Sequence, residues 1–298
     1  MREPDYSAMD DGHLADLLYT KEDHLPREVA AEIARRPTMV AFLGQILTDK
    51  QSWLAELPEW WAVVHASYIL GLRGGEEAVQ PLLSALRWAD AFDCDWVGEV
   101  LPSILGVLGP PAIAGLTAVT RDITAGWSAR DIAMQGLAAI SLRYPESAAH
   151  VFHIIGERFM DEGEDRLVRQ LAGRILLDFR CQNYRLALLK FAREEAGLYD
   201  TGAWYNDGFS PEEVEWAFHQ SDPEPWHYQE DWMHFYEPSE IQRRQKRWAR
   251  EHLSRAPGGR ERVLGVGGGR VLSFGRMSKK PEENSAPEGT DPQGPAEQ

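Results

Sequence analysis

The sequence has few of the residues that most functional motifs require. Its 298 residues contain only two cysteines, Cys94 and Cys181. Two isolated cysteines supply neither a disulfide framework nor a zinc site, so we expect two free thiols. No apolar run approaches the roughly 18 residues of a membrane-spanning helix, and the polar N-terminal stretch does not resemble a signal peptide. These absences predict a cytoplasmic protein with no membrane partner.

Positive charge is also scarce. The formal net charge is −16, and residues 51–150 contain only five basic side chains. Nucleic-acid binding depends on lysine and arginine displacing the counterions of the phosphates. We therefore predict no nucleic-acid partner.

Catalytic and cofactor-binding motifs are missing as well. The glycine-rich stretch 265–270 has no preceding long strand and no following Lys-Ser/Thr pair, so it is not a phosphate-binding loop. We found no serine nucleophile elbow and no Cys–His pair at a suggestive spacing. The sequence thus predicts no catalytic residue and no cofactor, which favours a non-enzymatic protein.

Four similar stretches are the main positive feature. They begin at residues 69, 104, 137 and 175, so their starts are 35, 33 and 38 residues apart. Each consists of the apolar end of one helix, a break and a second apolar helix. The breaks are Gly74-Gly75, Gly109-Pro110-Pro111, Tyr144-Pro145 and Cys181-Gln182-Asn183. Such a period is typical of stacked helical hairpins, which bury their apolar faces against one another.

These stretches resemble a known class of repeat. The segments LPEWWAVVHASYILG (57–71), AVQPLL (78–83) and DWVGEVLPSILGVLG (95–109), with LPREVA (25–30), are similar to HEAT-like repeats of the phycobilisome-lyase type. They resemble a bacterial family of HEAT-like proteins whose function is unassigned. The resemblance implies an all-α, right-handed HEAT-like (armadillo-type) solenoid, but no activity. The chain has no His-Glu pair, which iron-binding HEAT hydroxylases use.

The domain organisation follows from the repeats and from changes in composition. We predict an N-terminal helical capping segment (1–56), HEAT-like repeats (57–195), an acidic aromatic cap with a basic helix (196–255), and a disordered tail (256–298) that is too rich in Gly and Pro to fold. Leu105 and Ile140 should be buried between hairpins. Small residues should mark close helix contacts, namely Gly71, Gly106 and Ala139.

The charge changes sign in the C-terminal third. Residues 201–240 have ten acidic and no basic side chains apart from histidine, whereas residues 241–280 have twelve basic and two acidic ones. We predict that the basic helix folds back onto Glu212, Glu213 and Glu215, with Trp248 anchored among aromatic residues. The alternatives are separately solvated faces and a homodimer formed through the basic helix.

The leading functional prediction is a scaffold that binds a protein or peptide of unknown identity. Aromatic and basic side chains that anchor interfaces are the candidate partner-binding residues: Trp60, Trp61, His65, Trp204, Trp216, Arg243 and Arg247. His65 has a second interpretation, a core histidine with a hydrogen-bond partner.

The runner-up is a metal-dependent accessory enzyme. His227, Asp231 and His234 would lie on one face if residues 225–236 formed an α-helix. Two histidines and a carboxylate suit zinc or iron. The simpler interpretation is a polar helix face, and we predict no bound metal.

Overall fold

The computed structural model describes residues 4–196, 208–220 and 228–254, all within one unit, Met1–Gly268. These residues form α-helices and 3-10 helices and no β-strand, so the all-α prediction is confirmed for them. Trp204, His227 and the predicted disordered tail lie outside the described residues.

The α-helices of the described chain are short and follow one another closely. In chain order they are α1 (Asp11–Thr20), α2 (Arg27–Arg35), α3 (Met39–Thr48), α4 (Lys50–Trp53), α5 (Trp61–Arg73), α6 (Val79–Ala91), α7 (Asp95–Gly98), α8 (Leu101–Leu108), α9 (Ile113–Arg121), α10 (Trp127–Arg143), α11 (Ala148–Met160), α12 (Arg166–Asp178), α13 (Arg185–Ala196), α14 (Pro211–His219) and α15 (Pro238–Ser254).

All four predicted breaks are turns between paired helices. At each break, one turn of 3-10 helix leads into the partner helix: Glu76–Ala78, Pro110–Ala112, Pro145–Ser147 and Gln182–Tyr184. Gly74, Gly75 and Gly109 have φ of +66°, +88° and +74°, a region that side chains with a Cβ rarely adopt. The pairs are therefore α5/α6, α8/α9, α10/α11 and α12/α13.

Neighbouring pairs pack helix against equivalent helix. The first helices of the pairs contact in series from α5 to α8, α10 and α12. The second helices α6, α9 and α11 also contact in series, and α3 packs on α6 ahead of them. The predicted small residues lie at these contacts. A Cβ on Gly71 would lie 2.8 Å from Ile104, and one on Gly106 would lie 2.8 Å from the Cβ of Ala139. Leu105 and Ile140 are fully buried, as predicted.

Local capping residues fix the starts of two helices. Ser210 caps α14, and its hydroxyl accepts from the N–H of Glu213 while the Glu213 carboxylate accepts from the N–H of Ser210, which forms a capping box. Asp10 caps α1 by accepting from the N–H of His13.

None of the described helices could cross a membrane by itself on length and apolar composition. The bent pair Asp95–Leu108 and Pro110–Arg121, whose halves meet at 117°, meets those two criteria only when the halves are combined.

Candidate functional site

A C-terminal stretch lies across the first helices of the pairs. We call residues 228–237 the crossing segment. The Tyr228 hydroxyl donates to a carboxylate oxygen of Asp178 at the end of α12 (2.9 Å). The N–H of Glu230 donates to the hydroxyl of Ser103 in α8 (2.8 Å). The segment thus runs from the last pair towards the first.

The crossing segment continues over α5 and α2. The Trp232 indole N–H donates to the backbone carbonyl of Tyr68 in α5 (3.1 Å), and Glu237 forms an ion pair with Arg27 of α2. We call the surface of α2, α5, α8 and α12 beneath the segment the covered face.

An aromatic pocket on the covered face holds Phe235. Its ring centroid lies 5.3 Å from that of Tyr68, 5.9 Å from that of Trp96 and 6.1 Å from that of Trp61. The Tyr68 and Trp96 contacts are edge-to-face, a geometry that favours aromatic pairs. Phe235 is 9% exposed, and the Arg244 guanidinium of α15 lies over its ring, 3.8 Å from the centroid. The pocket and α15 together therefore enclose nearly the whole side chain.

His65 fixes the residue after Phe235. The His65 side chain is fully buried. Its Nε2 lies 2.7 Å from the backbone carbonyl oxygen of Glu22, which can only accept, so Nε2 carries the proton. Nδ1 therefore accepts from the Tyr236 hydroxyl at 2.9 Å. Burial is the main reason that the pKa of His65 falls to about 4, which keeps the ring neutral at pH 7.

Asp23 anchors the helix that follows the crossing segment. Its carboxylate accepts from Arg244 Nε (3.3 Å), Gln245 Nε2 (2.8 Å) and Trp248 Nε1 (2.9 Å), all on α15. Arg244 Nη2 also donates to the backbone carbonyls of Asp23 and Phe235, each at 2.8 Å. Burial lowers the pKa of the Arg244 guanidinium, and its contact with Asp23 opposes that shift.

The prediction that the basic helix folds back onto Glu212, Glu213 and Glu215 is wrong for Glu213 and Glu215, because α15 packs on Asp23 instead. Glu213 pairs with Arg174 (3.4 Å), and Glu215 pairs with Arg185 (2.7 Å). Arginines of α12 and α13 thus pair with these two carboxylates, whereas α15 contacts Asp23 near the N-terminus. Trp248 holds α15 by donating its indole N–H to the Asp23 carboxylate, and its predicted place among aromatic rings stays a prediction.

The candidate partner-binding residues fall into three groups. Trp61 (7% exposed) and His65 are buried, so they offer no surface to a partner in this conformation, and His65 follows its second interpretation. Trp60 is half-buried against Trp61, with ring centroids 5.4 Å apart. Trp216, on α14, and Arg243, on α15, are exposed, whereas Arg247 is half-buried beside Trp248.

The predicted metal-ligand face is not formed by the described residues. Trp232–Tyr236 is a 3-10 helix, not part of an α-helix beginning at residue 225. Asp231 caps it by accepting from the N–H of Met233, and His234 Nε2 lies 3.2 Å from a carboxylate oxygen of Glu240. Asp231 and His234 thus have structural partners, and His227 lies outside the described residues.

Two further sets of side chains, one acidic cluster and the two thiols, have the chemistry to bind a metal or act as nucleophiles. Among the described residues, Glu22, Asp23 and His24 bring their ligand atoms within 4.8 Å of one another, but the Asp23 carboxylate already receives three donors from α15. Cys94 and Cys181 are free thiols, and burial raises the pKa of each to about 12. Neither is a thiolate at neutral pH, which removes both as nucleophiles.

No protein-family model matches the chain, and no curated protein sequence matches it significantly.

Proposed function

We propose that this protein is a non-enzymatic, HEAT-like (armadillo-type) right-handed solenoid scaffold that binds an extended segment of another protein on its covered face. One observation carries the proposal. The covered face already holds ten consecutive residues of the chain itself, through an aromatic pocket, backbone acceptors and an ion pair. A surface that binds one extended segment has the physical features needed to bind another.

The charge of the chain supports a protein partner. With a net charge of −16, the surface as a whole repels nucleic acid. On the covered face, the groups that contact the crossing segment are aromatic rings, a histidine nitrogen, a backbone carbonyl, a serine hydroxyl, the Asp178 carboxylate and the Arg27 guanidinium. Such groups recognise peptide side chains and amides.

The proposal is tested by opening the covered face and offering random peptides. Arg244→Ala leaves Asp23 buried without its guanidinium partner, which should detach α15 and loosen the crossing segment. We call this full-length protein the released variant. A displayed library of random peptides should yield binders to the released variant, and those binders should protect α5 and α8 from hydrogen exchange.

Lys246→Ala is the matched control, because it removes an exposed cation from the same helix. It should enrich no more binders than the wild-type protein does. A folded released variant that enriches nothing above this control would refute the scaffold proposal.

A further inference from the structure

The side chains of the crossing segment define what the covered face can recognise. Resting on the scaffold function proposed above, we propose that the partner presents the pattern tryptophan–apolar residue–x–phenylalanine–tyrosine–acidic residue, whose second position corresponds to the buried Met233. The part of the crossing segment from Trp232 to Glu237 is then an internal copy of the ligand, and it holds the face closed until the partner displaces it.

A backbone acceptor sets the tryptophan position, and the shape of the aromatic pocket sets the phenylalanine position. At the tryptophan position, the carbonyl of Tyr68 accepts the indole N–H, so an apolar ring without a donor would lose this bond. At the phenylalanine position, the walls of Trp61, Tyr68 and Trp96 surround the ring on several sides. A polar side chain would lose its hydration there without gaining a hydrogen bond from these walls.

The tyrosine position is the most selective. The Nε2 proton of His65 is held by the carbonyl of Glu22, so Nδ1 can only accept, and it lies at the bottom of a buried site. A ligand with phenylalanine here would leave that nitrogen without a donor. Unpaired buried polar groups make such sites reject the analogue that lacks the hydroxyl.

The last position is set by charge. Arg27 meets the Glu237 carboxylate at the edge of the covered face, where both side chains are partly exposed. This contact should contribute direction and register more than affinity. The pattern therefore has a tight aromatic centre and a weaker acidic end.

The crossing segment can leave without disturbing a β-sheet or a helix pair. Its backbone–backbone hydrogen bonds in the described residues are local turns, such as His234 N–H to Asp231 and Glu237 N–H to His234. It is held in place by side chains and by α15, whose anchor is Asp23. A tethered segment has an effective concentration of the order of millimolar, and the contacts of α15 with Asp23 hold it more tightly still. A free ligand should therefore compete better once α15 detaches.

The probe is a fluorescein-labelled synthetic peptide with the sequence of residues 228–241, titrated with full-length proteins and followed by anisotropy. The released variant should bind it at least about tenfold more tightly than the wild-type protein or Lys246→Ala. Replacing the peptide tyrosine that corresponds to Tyr236 with phenylalanine should weaken binding to the released variant by about tenfold. Phenylalanine to alanine should weaken it more.

Removing the charge from each partner of the Arg27–Glu237 ion pair separates specific recognition from non-specific binding. Changing the peptide glutamate that corresponds to Glu237 to glutamine should weaken binding to the released variant, but not to a released variant that also carries Arg27→Gln. Circular dichroism shows whether the released variant is folded. If it is not, Trp248→Ala, which removes one of the donors to Asp23, replaces it in every measurement.

Several outcomes would overturn the inference. If library peptides bind the released variant but lack the pattern, the scaffold function stands and the recognition pattern is wrong. Equal affinity of wild-type and released proteins for the probe would rule out closure by the crossing segment. A dimer that forms with rising concentration without added peptide, seen by light scattering, would assign the face to the crossing segment of a second copy instead of a partner protein.

Discussion

At the scale of single residues, the burial of His65 makes the stability of the fold depend on pH. The pKa of its ring is about 4 in the folded protein, against a usual value of 6.5. Between these values the unfolded chain binds a proton that the folded protein does not. The contribution of neutral His65 to the free energy of unfolding is therefore fully present above pH 6.5 and is lost as the pH falls towards 4.

From the size of the His65 pKa shift, we expect the free energy of unfolding to fall by about 2 kcal/mol when the pH is lowered from 7 to 5. His65→Gln keeps a donor and an acceptor but does not titrate. Urea denaturation of both proteins at the two pH values gives the difference due to His65 alone. Parallel pH profiles for the two proteins would show that burial does not lower this pKa.

Gly106 tests the close approach of α8 and α10. A Cβ at this position would lie 2.8 Å from the Cβ of Ala139 and 3.2 Å from its backbone carbonyl, so the helices would have to separate. Gly106→Ala should cost about 1–3 kcal/mol, as overpacking does. Gly98→Ala is the control, because its Cβ would lie 3.4 Å from Ile132, an ordinary contact. Equal thermal stabilities for the two variants would contradict the packing.

How far single residues could be predicted depended on the distance of their partners along the chain. The burial of Leu105 and the small size of Gly106 follow from the repeat pattern. The sequence also suggested a hydrogen-bond partner for His65, but its actual partners are 43 and 171 positions away. Asp23, Arg27 and Ser103 carry no local signal, because their roles arise only when the crossing segment reaches them.

At the scale of elements, the paired helices were predictable because their breaks are local. Glycine with positive φ and proline at the start of a 3-10 turn act within a few residues. The target of α15 was not predictable, because charge alone does not distinguish one carboxylate from another. Only the structure shows that Glu213 and Glu215 already have arginine partners.

The helix pairs predict large effects at their shared core. Leu105 and Ile140 are each fully buried, so Leu105→Ala and Ile140→Ala should each cost about 2–5 kcal/mol. Leu186→Ala, at a side chain that is 82% exposed, should change stability by less than about 0.5 kcal/mol. Thermal unfolding followed by circular dichroism measures all three. A change within error at Leu105 would mean that this helix face is not the core.

At the scale of the whole molecule, the crossing segment and α15 join parts that the helix pairs alone leave distant. Stacked pairs contact mainly their neighbours, so their stability is approximately a sum of local terms. Here residues 228–248 contact Asp178 near the last pair, Ser103 and Tyr68 in the middle, and Asp23 near the beginning. We expect this connection to make unfolding more cooperative than in an open stack.

Arg244→Ala tests that connection, because Arg244 is 8% exposed and lies between Asp23 and Phe235. Removing one partner of a buried ion pair typically costs about 3–5 kcal/mol. In urea, tryptophan fluorescence and circular dichroism should give one coincident transition for the wild-type protein and for Lys246→Ala. For Arg244→Ala we expect unfolding at lower urea, with different midpoints by fluorescence and by circular dichroism. The N-terminal helices can then unfold while the C-terminal ones remain folded. A single transition with unchanged midpoint would show that the ends of the described chain are not coupled through α15.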